Sequence, residues 1–247
     1  MRATVELGFL AVLAHEIQLG RDGSRIDYPG DAGQNNLYLF ARVQAELDIW
    51  RQHRITFLYQ PLDLESRSTL QRDLRIDGLD YAQRTSVRFR YGFPFYRVGW
   101  SYDVLDARDE ELSFGLALQL RNATIEFEST DGSLYRSRQD VGPVPLLRSN
   151  GRFAFAGSWW LGWEIDGFYA PISVLNGSDT EVEGAIVDAS VRVGARLVPH
   201  LDTFVSVRYL GGGAKGQGDA TATSDGWQSN WLHFLTVSLG VTIDTRP

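Results

Sequence analysis

Charged side chains recur at alternate positions of several apolar segments. They are the residues of this sequence best suited to bind ions or small charged solutes. Both signs occur in this set, and arginine far outnumbers lysine in it. A guanidinium group binds a carboxylate or phosphate through two parallel hydrogen bonds. If these side chains share one interior, they can neutralise one another or select small charged solutes. The set comprises Arg42, Glu46, Arg88, Arg97, Asp103, Arg121, Glu164, Asp166, Asp188, Arg192 and Arg208.

The segment Val187–Leu197 shows most clearly how such residues are positioned. Its odd positions are all apolar, whereas its even positions, which include Asp188 and Arg192, are charged or small. A period of two places the two sets on opposite faces of a β-strand. Similar alternation predicts ten strands: Ala3–Ile17, Leu37–Trp50, Arg54–Glu65, Thr85–Leu105, Glu111–Glu128, Pro145–Ala156, Trp159–Pro171, Val182–Val198, Asp202–Leu210 and Trp227–Ile243.

The connections between these segments alternate in length. Four are short: Arg51–His53, Asp106–Glu110, Gly157–Ser158 and Pro199–Leu201. Five are long and polar: Arg21–Asn36, Ser66–Arg84, Ser129–Val144, Ile172–Glu181 and Gly211–Gly226. Transmembrane barrels have short periplasmic turns and longer outer loops. We therefore expect an even number of strands, with both chain ends on the periplasmic side.

The fourth segment contains Gly92-Phe93-Pro94, which could be a hairpin turn or a bulge. A turn would give eleven strands and put the chain ends on opposite sides of the membrane. We expect a bulge, because Arg88 and Arg90 would then face inward at even positions and Arg97 at an odd one. Glycine and proline are typical of such irregular positions.

Composition limits the class of protein. Hydrophobic residues make up 43% of the 247 residues and mean hydropathy is -0.20, which is too polar for a helical membrane protein. The net charge of -7 argues against nucleic acid as a partner, and the absence of cysteine removes disulfides and thiolate metal sites. Met1 leads straight into a strand, so we expect a mature chain whose targeting segment has been removed.

A soluble barrel with its apolar face inside would show the same alternation. Three features favour a barrel whose apolar face contacts lipid. They are the small residues mixed with charges on the polar face, the unequal lengths of the connections, and the aromatic residues near the strand ends. The last group is Trp50, Trp100, Tyr102, Trp159, Trp160, Trp163, Trp227 and Trp231. We therefore predict an all-β protein, a single domain over residues 1–247 that forms a closed antiparallel up-and-down transmembrane β-barrel of about ten strands.

Four motifs are similar to an uncharacterised family of bacterial outer-membrane β-barrel proteins. They are Arg90–Arg97 (RYGFPFYR), Gly115–Ala123 (GLALQLRNA), Val144–Leu147 (VPLL) and Trp231–Phe234 (WLHF). The similarity covers most of the chain beyond Leu37. It implies a barrel in the bacterial outer membrane, with outer-membrane lipid as its surroundings, and it implies no particular activity.

Several signals bear on activity. His15 and His233 fall on the first and last strands, near Glu16, Asp225 and Ser229, but they share the parity of lipid-facing leucines. We therefore expect them in the interfacial belt rather than in a catalytic site. Gly211–Gly218 lacks the spacing of a phosphate-binding loop and is expected to be an outer loop. The acidic runs Asp106–Glu111 and Asp179–Glu183 lack the ligand spacing of a cation site. We expect no metal and no cofactor.

Three functions fit these observations. The first is a narrow pore or small-solute binding channel with a charged lumen, whose partner is a small solute or ion. The second is an enzyme that acts on outer-leaflet lipid or peptide at the outer rim, using His15 or His233. The third is a structural or adhesive barrel. Ten strands lie near the size at which side chains fill a barrel, so a self-neutralised interior is the alternative to an open lumen.

Overall fold

The computed structural model describes residues 1–105, 107, 110–171, 182–218, 220 and 224–245. Within these ranges, no α-helix has the length and apolar character needed to cross a membrane. The predicted loop Ile172–Glu181 and the acidic run Asp179–Glu183 fall largely outside the described residues, as does part of Asp106–Glu110.

Fifteen strands and one helical turn occur in the described residues. They are β1 (Arg2–Leu19), β2 (Ile26–Asp27), α1 (Tyr28–Asp31), β3 (Leu37–Trp50), β4 (His53–Gln60), β5 (Asp63–Thr69), β6 (Leu74–Ile76), β7 (Leu79–Tyr81), β8 (Ser86–Gly92), β9 (Phe95–Asp103), β10 (Glu111–Ser129), β11 (Tyr135–Ala156), β12 (Trp159–Pro171), β13 (Val182–Val198), β14 (Leu201–Gln217) and β15 (Trp227–Asp244).

The strands form a closed antiparallel barrel. Each long strand pairs with its neighbours in sequence, and β1 pairs with both β3 and β15. β4 and β5 follow one path across the wall, as do β8 and β9, so the barrel has ten spans. The predicted ten-stranded barrel is confirmed. Arg2 lies opposite Asp244, so both chain ends lie beside the short connections, at what we call the turn end.

The strands extend further than predicted at the opposite end, which we call the loop end. β11 begins at Tyr135, within the predicted loop Ser129–Val144. β14 continues to Gln217, so the glycine-rich stretch Gly211–Gly218 is almost entirely strand rather than loop. Glycine permits this close strand pairing, since a Cβ at Gly213 would lie 1.9 Å from the carbonyl oxygen of Asn230.

The predicted bulge at Gly92-Phe93-Pro94 is wrong. Gly92 lies opposite Thr124 and Phe95 opposite Arg121, so neither strand gains a residue between the two pairs. Odd positions consequently face inward along the whole of β8 and β9. Arg88 and Arg90 therefore point outward, contrary to the prediction, and the aromatic side chains of β8 fill the interior in their place.

A bulge does occur in β1, between Val12 and Ala14. The extra residue, Leu13, reverses the parity of the strand. Inward positions are even before it and odd after it, so His15 is fully buried inside the barrel. The expectation that His15 belongs to the outer belt is wrong, because simple alternation cannot register one inserted residue.

The loop half of the interior is apolar. Side chains from β1, β8, β10 and β15 meet there, and residues 20–36 and 70–85 fold over them. Tyr28 of α1 enters the barrel and stacks on His15, with 4.1 Å between the ring centroids. Arg72 donates hydrogen bonds of 3.1 and 2.9 Å to the Asp31 carboxylate and lowers its pKa, which ties the two connections together. We call this assembly the aromatic core.

The outer wall is apolar where the strands cross the middle of the barrel. Its exposed side chains include Leu7, Leu39, Leu116, Val191 and Leu239. A continuous apolar band around a closed barrel is the surface that a lipid bilayer covers. Trp160 is an exception to the predicted aromatic belt, because its side chain is buried inside the barrel.

Single cysteines test the orientation of the chain, which has no cysteine of its own. Ser133 is exposed in the connection between β10 and β11, and Gln52 lies in the turn between β3 and β4. A membrane-impermeant maleimide added to intact cells should label Ser133→Cys and spare Gln52→Cys until the outer membrane is permeabilised. The reverse labelling pattern would show that the barrel is inserted the other way round.

Candidate functional site

The turn half of the barrel interior is filled with charged side chains. The deepest group, which we call the inner network, consists of Glu6, Arg42, Arg97, Arg148, Glu164, Asp166, Asp188, Arg192 and Arg208. These residues come from seven different spans, because the alternation of each strand turns its polar positions inward. Apart from Arg192, whose side chain is 14% exposed, they are almost completely buried.

The inner network is continuous. Arg42 lies 3.0 Å from Glu6 and 2.7 Å from Glu164, and Arg192 lies 2.8 Å from both carboxylates. A second branch of the network starts at Arg148, which lies 3.6 Å from Glu164 and 2.7 Å from Asp166.

Arg97 completes the chain of contacts, because it bonds to Asp166 and lies 3.0 Å from Asp188. Arg208 binds the other oxygen of Asp188 at 2.5 Å. Removing one partner of such a buried pair is strongly destabilising, because the other charge is left uncompensated. Because its members are linked and almost completely buried, the inner network fills the middle of the barrel as a single unit.

A second charged cluster, the mouth network, lies at the turn end. It consists of Arg2, Glu46, Asp48, Arg54, Glu111 and Asp244. Arg2 lies 2.7 Å from Glu111 and 3.2 Å from Glu46, and Arg54 also bonds to Glu111. Arg152 pairs separately with Asp202 at 2.6 Å and stacks over the ring of Trp160.

A cavity of about 60 Å³ separates the two networks. Its charged wall residues are Arg2, Glu46, Arg54, Glu111, Arg148, Arg152, Glu164 and Arg192, and its other walls include Thr4, Gln44, Asn150, Trp160, Phe204 and Thr242. A single water needs roughly 10–15 Å³ of such space, so the cavity has room for ordered water or for a very small solute.

Some residues that line the cavity also carry a buried polar atom with no hydrogen-bond partner within the described protein. These atoms include two donors, Arg192 Nε and Trp160 Nε1, and one acceptor, Gln44 Oε1. Buried polar groups in native proteins are nearly always hydrogen-bonded to protein, water or ligand.

The structure brings together most of the residues predicted to line the lumen. Arg42, Arg97, Glu164, Asp166, Asp188, Arg192 and Arg208 belong to the inner network, and Glu46 belongs to the mouth network. Asp103 faces inward at the turn end, but its carboxylate caps a turn by accepting hydrogen bonds from the backbone amides of Leu105 and Leu112.

One predicted lumen residue lies elsewhere. Arg88 points outward and pairs with Glu128, with its side chain 34% exposed. Arg121 lies on β10, and its side chain falls outside what the structure describes.

Sequence reasoning missed several interior charges that the structure adds, among them Arg2, Arg54, Glu111 and Arg148. A usable signal existed for two of them, since Arg54 alternates with lipid-facing Ile55 and Arg148 shares the parity of Arg152. Arg2 and Glu111 are the first residues of their strands, where alternation has only one neighbour to extend from.

The two histidines considered for catalysis do not share a site. His15 is buried among aromatic rings, and its Nδ1 lies 3.1 Å from Gln34 Oε1. His233 is on the outward face of β15, where its Nδ1 lies 2.6 Å from the Tyr209 hydroxyl. Because the barrel wall separates these rings, they cannot act on one substrate together.

No family model and no curated protein matches the sequence. Solved structures with a similar fold include the outer-membrane protease OmpT from Escherichia coli, at a TM-score of 0.54 and 12% identity over 98% of this chain and 95% of that chain. A Pseudomonas aeruginosa FadL homologue matches at a TM-score of 0.41 and 9% identity, over 99% and 90% of the two chains. The Pseudomonas aeruginosa outer-membrane protein OprG matches at 0.33 and 11%, over 99% and 96%.

At 12% identity, the likeness to OmpT shows the fold and nothing about activity. The chain has the fold of the bacterial outer-membrane β-barrels, as the sequence motifs predicted. Together with the apolar outer wall, this fold places the chain in the bacterial outer membrane.

The inner network can be tested through Arg97, which is fully buried between Asp166 and Asp188. Arg97→Ala should lower the free energy of unfolding in detergent by about 3–5 kcal/mol, since it leaves buried carboxylates unpaired. The matched control is Arg67→Ala, which removes an exposed ion pair with Glu65 and should change that energy by less than about 1 kcal/mol. Equal effects of the two changes, measured by urea titration, would contradict the network.

Proposed function

We propose that this barrel binds small charged solutes in its lumen from the periplasmic side and does not conduct ions in the conformation described. The proposal follows from one observation: the cavity between the two charged networks lies at the turn end and stops at the inner network. Of the functions considered from the sequence, this is the binding form of the charged-lumen hypothesis.

The size of the cavity limits the solute. Pockets for drug-sized ligands have volumes of roughly 300–1,000 Å³. A cavity of about 60 Å³ therefore suits a solute of only a few heavy atoms. Its wall of arginines, carboxylates and amides would bind such a solute through charge-assisted hydrogen bonds, which are stronger than neutral ones.

Two consecutive barriers oppose passage through the barrel. An ion that left the cavity would first have to separate the buried pairs of the inner network, such as Arg42 with Glu164. It would then meet the aromatic core, where Tyr91, Phe95 and Phe234 are buried. Transfer of an unpaired charge into such an apolar region is very unfavourable. These barriers support binding rather than conduction.

Two inward-facing threonines on β15 provide a matched test of this proposal. Thr242 lines the cavity, whereas Thr236 lies beyond it and opposite Arg208. A small methanethiosulfonate reagent should modify Thr242→Cys and leave Thr236→Cys unmodified. The wild-type barrel should give no current steps in planar bilayers.

Three outcomes of this experiment are informative. Modification of both cysteines together with current steps would show an open pore and overturn the proposal. Modification of neither would show a sealed barrel whose activity lies in its surface, and it would also overturn the proposal. Modification of Thr242→Cys alone, with no current, is the expected result.

A further inference from the structure

We infer that the barrel admits a single-chain lipid of the fatty-acid type from the outer leaflet into its aromatic core, through an interruption of the wall between β3 and β5. This site is separate from the cavity at the turn end and goes beyond the proposed function. Three features of the loop half support it: the missing strand pairing beside β5, the apolar surroundings of the interruption, and the way residues 26–36 fill it.

The ladder of paired strands is interrupted beside β5. One edge of β5 pairs with β8, and no strand of the described chain pairs with its other edge. β3 pairs with β4 only from Val43 onward, and its segment Leu37–Arg42 pairs with β1 alone. We call the opening between Leu37–Arg42 and Asp63–Thr69 the seam. The barrel is therefore closed by paired strands in its turn half, whereas residues 26–36 close this side of its loop half.

Two prolines at the same level of the wall explain the seam. Pro61 lies in the break between β4 and β5, and Pro94 lies in the break between β8 and β9. The two breaks face each other, because the strands pair on either side of them. Proline has no backbone N–H and does not continue a strand ladder. β5 and β8 can therefore stay together beyond the break while β5 separates from β3.

The seam opens onto the lipid-facing wall. On its β3 side, Leu37 and Leu39 are 58% and 85% exposed on the outward face. On its β5 side, the outward side chains are charged and include Asp63 and Arg67. A change from apolar to charged outward residues marks the edge of the hydrocarbon layer. With the loop end outside, a molecule that enters the seam therefore comes from the outer leaflet.

Residues 26–36, which we call the plug, fill the seam from within. Tyr28 and Ala32 of the plug are buried in the aromatic core, as are Phe40, Leu62 and Leu64 beside the seam. Such surroundings favour a hydrocarbon chain and exclude an unpaired charge. Withdrawal of the Tyr28 ring would free space for one acyl chain but not for two, which points to a single-chain lipid.

The plug is attached firmly on one side of the seam and weakly on the other. Toward β1, its strand β2 pairs with β1, and the Asn36 carbonyl accepts a 2.9 Å hydrogen bond from the Val12 amide. Within the described chain, no hydrogen bond joins the plug to β5. Arg72, which follows β5, holds the Asp31 carboxylate of the plug instead. If this ion pair opens, Arg72 becomes free to bind the carboxylate of the lipid through charge-assisted hydrogen bonds.

A disulfide across the seam tests whether the plug must move. A Cβ at Gly33 would lie 3.3 Å from the Cβ of Ser68, close to the spacing of about 3.5–4.5 Å that a disulfide needs. The pair Gly33→Cys and Ser68→Cys, in a chain without other cysteines, therefore forms a lock that a reducing agent opens. Because φ is +62° at Gly33, a side chain is strained there, and the oxidised protein is compared with the same protein after reduction.

The probe is palmitic acid with a photoactivatable diazirine near its methyl end, in phosphatidylcholine vesicles that contain the full chain. Mass spectrometry locates the adducts after illumination. Wild type and the reduced lock should carry adducts on the interior residues Tyr28, Tyr91 and Phe127. Oxidation of the lock should remove these adducts and leave those on the outward side chain of Leu39. Phosphatidylcholine that carries the diazirine on one of its two chains should label outward residues alone.

Asp31→Asn tests the plug in the opposite direction and does not depend on the cysteine pair. It weakens the hold of Arg72 but keeps an acceptor for the Asp27 amide. Interior adducts of the fatty acid should increase about two- to fivefold, as expected for the loss of a partly exposed ion pair. The control Glu65→Gln removes the exposed ion pair with Arg67 and should leave the adducts unchanged. Heat-modifiable migration on gels confirms that each variant is folded.

Each other outcome contradicts the inference. Interior adducts that survive oxidation of the lock would show that the fatty acid enters by another route. If neither wild type nor Asp31→Asn carries interior adducts, the aromatic core accepts no lipid. Interior labelling by the two-chain lipid would overturn the assignment to a single-chain lipid. Because the cavity lies at the other end of the barrel, none of these results bears on the proposed function.

Discussion

The rest of this structure depends on the need to neutralise arginines that are removed from water. Arg42, Arg97 and Arg208 are among the largest fully buried side chains of the described chain. A guanidinium in such a place is tolerated only when carboxylates surround it with good hydrogen-bond geometry. Some of their partners come from distant strands, as Glu164 does for Arg42 and Asp166 for Arg97, so the closed barrel and the ion pairs require each other.

This requirement also divides the barrel into two halves. Charged groups satisfy one another in the turn half, where the cavity supplies room for polar occupants. In the loop half, Tyr28, Phe89 and Phe127 pack with few polar atoms among them. Two residues set this division. The bulge at Leu13 turns the side chain of His15 inward, and the short helical turn directs the ring of Tyr28 into the barrel. Ion pairs thus fill the turn half of the barrel, and apolar packing fills the loop half.

The sequence predicts the barrel well because alternation is repeated on every span. The sequence places Asp188 and Arg192 correctly because their strand has no irregularity between Val187 and Arg196. His15 and Arg88 were placed wrongly for opposite reasons. A bulge at Leu13 leaves no clear mark in the sequence, whereas Gly92-Phe93-Pro94 resembles a bulge and is not one.

The candidate site was only partly predictable for a different reason. Alternation tells which face a side chain occupies, but it does not tell which residues of distant strands meet across the interior. The pairing of Arg97 with Asp166 joins residues that are 69 positions apart. The cavity is a still less local property, because it depends on the volumes left between two networks.

A double-mutant cycle on Arg208 and Asp188 tests most directly the claim that the interior charges are dry and mutually neutralised. These side chains are 2.5 Å apart and almost completely buried. Arg208→Met, Asp188→Leu and the double variant would be unfolded with urea in detergent. The account predicts that the double variant loses less stability than the sum of the single variants, with a coupling of about 1–3 kcal/mol. Strictly additive losses would show that water solvates both charges, and the closed interior would then be wrong.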